Sequence, residues 1–146
     1  MRKIMFAWAV PISLLVAPAA AEPLVRLHTS YYYIDGTSAT VLAAQLDQNG
    51  PVGSDGKHYA GRTRWDIQWK FRSEQQGTAC SMKEVAIAVG IAQTLPRWRG
   101  EDKGAAGLKA LWTKFLGALQ RHEDGHKEHG LKAGRQIEAE IGRAHV

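Results

Sequence analysis

The sequence predicts an α+β domain: a small antiparallel sheet of about three strands, one N-terminal helix and one long C-terminal helix. Three observations carry that prediction. Residues 64–72 alternate apolar and polar, with Trp65, Ile67, Trp69 and Phe71 against Arg64, Asp66, Gln68, Lys70 and Arg72. That period of two is the mark of a strand with one buried face. Val85, Ile87, Val89 and Ile91 repeat the pattern a short loop later. From Leu108 onward the apolar residues instead recur at three- and four-residue steps, through Leu111, Trp112, Phe115, Leu116 and Leu119, as on an amphipathic helix. Strands first and a long helix last is an α+β order.

The first 21 residues are an address rather than part of the fold. Arg2 and Lys3 form a basic start, Ile4 to Val16 an apolar run too short to span a bilayer, and Ala19-Ala20-Ala21 a small-residue cleavage site. A signal peptide with cleavage after Ala21 predicts a periplasmic or secreted protein. It leaves residues 22–146 as a single domain, large enough for one core. Without Arg2 and Lys3 the formal charge of +5 falls to +3. No basic run is present, so neither a nucleic-acid partner nor stable membrane insertion after signal removal is expected. Cys80 is the single cysteine, so no intrachain disulfide can form. Its place near a strand start suits a small buried hydrophobe.

Within the domain, Leu24 to Ile34 reads as the first strand, closed by Asp35-Gly36. Thr37 or Ser38 can cap a helix over about residues 39–48, whose apolar face is Leu42, Ala43 and Leu46 and whose stop is Asn49-Gly50-Pro51. Pro51 to Lys57 reads as a loop, and Ser73 to Thr78 as a hairpin loop between the two alternating strands. In the return strand the second face is Ala86, Ala88, Gly90 and Ala92, small and apolar, which allows cover on both sides. The Trp65/Trp69 face is expected to pack on a helix, with Trp65, Trp69 and Trp98 read as core. Leu95-Pro96-Arg97-Trp98 ends the sheet. A polar link over 99–103 leads into the last helix, about 105–142, which Gly125, Gly130 and Gly134 weaken by roughly 1 kcal/mol each where exposed. At Gly125 a missing side chain would let another backbone or a substrate come close.

The chemistry concentrates at His122-Glu123-Asp124-Gly125-His126. Two imidazoles four residues apart lie on one helix face, about 6 Å apart along the axis, where they can converge on one Zn²⁺. Glu123, one step round, is placed to act on a water as general base. Continuing the stripe from Leu119 through His122, His126 and His129 predicts that the histidines lie half sheltered beside the core.

A series of local pieces occurs in a recognisable order: Tyr32-x-x-x-Gly36, Asn49-Gly50-Pro51, Thr63-x-Trp65-x-x-x-Trp69, Cys80, Leu95-Pro96-Arg97-Trp98, Trp112-x-x-Phe115 and His122-Glu123-x-Gly125-His126. With them the chain resembles the bacterial family of predicted secreted zinc-dependent proteases, an uncharacterised-domain family placed with the zincin-like metallopeptidases. The resemblance spans nearly all of residues 22–146. It implies a zincin-like domain with His122 and His126 as zinc ligands, Glu123 as catalytic base, and a peptide or protein substrate. It supplies no third ligand. His129, His58, Asp35, Glu138 and Glu140 are weak candidates. His129 lies about 10.5 Å along the helix from His122, and the metzincin glycine and third-histidine positions hold His129 and Lys132. A donor for the oxyanion is also open among Tyr31, Tyr32, Tyr33, Tyr59 and the remaining histidines. The expected activity is hydrolysis of peptide bonds by a zinc-activated water. The alternatives are a non-catalytic metal-binding protein using the His122/His126/His129 face, and an interaction domain with a vestigial motif.

Overall fold

A computed structural model describes residues 22–143. The predicted signal segment over 1–21 lies outside the described residues. The order is β1 (Leu24–Ile34), α1 (Ala39–Asn49), β2 (Arg62–Gln76), β3 (Ala79–Trp98), a 3₁₀ turn (Glu101–Lys103) and α2 (Ala106–Arg143). The α+β class holds, with a three-stranded sheet and a long terminal helix. Ser38 caps α1, its hydroxyl accepting from the Val41 N–H at 3.3 Å.

The sheet is mixed rather than antiparallel throughout. β3 is central, antiparallel to β2 and parallel to β1. The tight turn at Gly77 (φ 63°) forces the β2–β3 hairpin to be antiparallel. No comparable local signal sets the β1–β3 pairing, because the whole α1 excursion and β2 lie between them. The hairpin is also longer than its pattern suggests. Pairing runs out to Gln76 opposite Ala79, with an irregularity at Arg72/Ser73, so the polar residues 73–76 read as loop are strand. They are exposed on both faces, and burial leaves no alternation there to read.

Two apolar clusters form, and α2 contributes to both. Ile34, Leu42, Trp98 and Trp112 make the first, with Leu108, Phe115 and Leu116 packed against it. Trp98 and Trp112 meet edge to face at 6.2 Å, and the Trp98 indole N–H donates to the Gly36 carbonyl at 3.0 Å. Ile87, Val89 and Ile91 make the second, with Ile67, Leu131, Ile137 and Ile141. On the other face of β3, Ala86 and Ala92 are exposed, whereas Pro96 and Trp98 toward its end are buried. Trp98 is core as expected. Trp65 and Trp69 are not, at 46% and 55% exposure. The helix passes over Trp65 at Gly130 and over Val89 at Gly134, which leaves Trp69 uncovered. Cys80 is exposed near the hairpin end and is not the buried hydrophobe expected.

The three helix glycines separate by surroundings. A Cβ at Gly130 would stand 2.7 Å from Trp65, and one at Gly134 2.5 Å from the buried Val89, so both mark close helix–sheet approach. A Cβ at Gly125 would meet nothing within 4 Å, so no neighbouring backbone explains that glycine. Gly125→Ala should therefore raise stability by about 1 kcal/mol, the helix-propensity difference alone. Gly134→Ala should instead lose up to about 2 kcal/mol, because overpacking outweighs the same propensity gain. Urea unfolding of the two variants checks both signs.

Candidate active site

The motif lies in the middle of α2, between the segments that serve the two clusters. Counting four residues on from Leu119 reaches Glu123, and it is Glu123, 3% exposed, that continues the inward stripe. His122 and His126 are exposed on its flank, not half sheltered as the stripe suggested. The difference is angular. At 100° per residue, Gly130 and Gly134 set the direction that faces the sheet; Glu123 falls on it, while His122, His126 and His129 lie about 60–120° round the helix from it.

A buried carboxylate requires a partner. Thr63 at the start of β2 supplies it, its hydroxyl 2.7 Å from Glu123 Oε2. Gly61 completes the fit, since a Cβ there would stand 2.9 Å from Glu123 Oε1. The two imidazoles converge: His122 Nε2 and His126 Nε2 are 3.2 Å apart, with ring planes at 87°. His122, Glu123 and His126 share one cavity of about 520 Å³ with Thr63, Arg62 and Tyr59.

The opposite wall is the segment 50–61, folded back on itself. The Gly53 N–H donates to the Lys57 carbonyl at 2.7 Å and the Tyr59 N–H to the Pro51 carbonyl at 3.0 Å. Arg62 donates to the Val52 carbonyl. Tyr59 donates to Asp55 Oδ2 at 2.9 Å. The Lys57 N–H, and after it the Tyr59 hydroxyl, hold the Asp55 carboxyl below the usual carboxylate range. The same hydrogen bond, with the charge of Asp55, raises the Tyr59 phenol, which stays a neutral donor at neutral pH. Behind the site, the Lys127 ammonium sits 2.7 Å from Asp124 and lowers its carboxyl.

Of the weak third-ligand candidates, none joins the pair. Asp35 pairs with Arg99 at 3.6 Å. His58 Nδ1 is 2.8 Å from the Gly50 carbonyl. The His129 ring centroid is 6.4 Å from that of His126. The helix runs unbroken past Gly130 and Gly134, which keeps Glu138 and Glu140 about 18–21 Å from His126 along the axis. Among the described residues no group of three His, Cys, Asp or Glu side chains could hold a metal ion. Asp55, Arg62 and Thr63 were not singled out as site residues from the sequence. Thr63 falls in a recognisable motif, but Asp55, delivered by the fold-back loop, and Arg62, the first residue of β2, carry no spacing signal.

An α+β domain with a His-Glu-His helix facing a polar cavity is the class that fold and site define. The chain belongs to a bacterial protein family of unknown function (DUF922), whose profile matches residues 29–146. No curated protein and no solved structure matches it.

Proposed function

We propose that this protein is an exported zinc-dependent peptidase, periplasmic or secreted, in which His122 and His126 hold the ion and Glu123 is the general base. The 3.2 Å between the two Nε2 atoms carries the reading. Two corners of a tetrahedron with Zn–N bonds of roughly 2.0–2.1 Å are about 3.3–3.4 Å apart, so the pair stands at ligand spacing. Two nitrogen donors with a carboxylate beside them are a donor set suited to zinc. When bound, zinc would lower the pKa of a water toward about 7 and polarise a carbonyl. Glu123 lines the same cavity as both histidines. Thr63 fixes one of its oxygens and leaves the other to take a proton from the attacking water and pass it to the leaving amine. The cavity is large enough for a peptide segment rather than a single small ion. Among the described residues no helix is long and apolar enough to cross a membrane.

Zinc content tests the reading. Wild type should bind one equivalent, and His122→Ala and His126→Ala should each lose most of it, as measured by metal analysis after dialysis. A wild type that takes up no zinc would sink the proposal. Passive metal binding is the second reading, favoured because no third His, Cys, Asp or Glu ligand joins the pair among the described residues. Cleavage of a peptide library by the zinc-loaded protein, read by mass spectrometry, separates the two.

A further inference from the structure

We propose that Tyr59 is the hydroxyl donor to the carbonyl oxygen of a bound peptide, and that Asp55 parks this hydroxyl in the substrate-free protein; the proposal rests on the peptidase reading. Charge developing on the attacked carbonyl needs a donor in the cavity, and the other tyrosines are committed elsewhere. Tyr31 and Tyr33 sit on β1 outside the cavity, with the guanidinium groups of Arg97 and Arg99 stacked on them at 4.3 Å and 4.8 Å. The Tyr32 hydroxyl donates to the Ala60 carbonyl at 2.7 Å, and burial, with the Asp47 charge, pushes it up to about 12. His58 is tied to Gly50, and Thr63 serves Glu123. Tyr59 alone of these tyrosines lines the cavity with His122 and His126.

The loop is shaped to hold that ring while leaving its hydroxyl exchangeable. Gly53 lies against the ring, where a Cβ would stand 2.5 Å from Cε2. The backbone hydrogen bonds of the fold-back do not involve the phenol. A phenol has one proton to donate, so Tyr59 must leave Asp55 to serve a substrate. Asp55 keeps a partner when it does, because the Lys57 N–H donates to it at 3.1 Å. The exchange therefore strands no charge.

Acetohydroxamate is the probe, since it presents a carbonyl oxygen and an anionic oxygen to a bound zinc ion. Its affinity for the zinc-loaded protein, measured by calorimetry, should fall about tenfold in Tyr59→Phe, the cost of one hydrogen bond to a charged group. Zinc stoichiometry should stay at that of wild type. Asp55→Ala should tighten acetohydroxamate a few-fold, because the hydroxyl is no longer shared; a merely structural loop contact would weaken it. Equal affinity in wild type and Tyr59→Phe, including no measurable binding by either, overturns the proposal while zinc uptake leaves the peptidase reading standing. Absence of zinc from wild type overturns both, and the stoichiometry distinguishes the two failures.

Discussion

Glu123→Gln is expected to lower peptide hydrolysis by about 10²–10⁴-fold, the usual contribution of a positioned general base, with zinc stoichiometry unchanged. Glutamine has the same shape and still offers an oxygen to the Thr63 hydroxyl, which stands 2.7 Å from Glu123 Oε2. The buried position, 3% exposed, therefore remains filled and partnered. What disappears is the basic oxygen facing the cavity. The imidazoles of His122 and His126 are untouched, so metal uptake should persist. Glu123→Ala is a poorer test, because it removes the partner of Thr63 and opens a gap beside Gly61 and Leu119. Hydrolysis surviving in Glu123→Gln would assign the general base to a different group. Both rates would be measured on one cleaved peptide at matched zinc loading.

Trp112→Ala is expected to cost about 3–5 kcal/mol of folding stability, the range for truncating a buried large aromatic. Trp112 is 4% exposed. It touches Trp98 at 6.2 Å and Phe115 at 5.5 Å between ring centroids, so it joins the end of β3, α1 and the start of α2 in one cluster. A domain of this size has roughly 5–15 kcal/mol in total. The loss should therefore appear as a large drop in the urea midpoint, with part of the population unfolded at 37 °C. Trp69→Ala is the contrast, since Trp69 is 55% exposed, and it should shift the midpoint little. Comparable losses from both would mean that Trp69 is covered in solution.

The same two tryptophans show where pattern reading succeeds and where it stops. Trp112 recurs at helical spacing with Leu108, Phe115 and Leu116, and that spacing alone places it inward. Trp69 alternates as cleanly in its strand, yet alternation only says which face a residue shares. How far a covering helix extends over that face is decided by its crossing path, here by Gly130 against Trp65 and Gly134 against Val89. The parallel pairing of β1 with β3 was illegible for a related reason. Hairpins are signalled by their turns, whereas a pairing of residues 64 positions apart depends on the fold as a whole.

At the candidate site the division is similar. Helical spacing by itself put His122 and His126 one turn apart on one helix, with Glu123 beside them, because the 3.6-residue repeat acts locally and needs no partner. Whether those rings would converge, that Glu123 would be the buried member, that Thr63 would hold it, and that a loop from 50 to 61 would bring Tyr59 and Asp55 across from them were settled by packing. Those contacts join side chains such as Thr63 and Glu123, sixty positions apart. No periodicity reaches that far, since only the folded core sets which distant backbones approach one another.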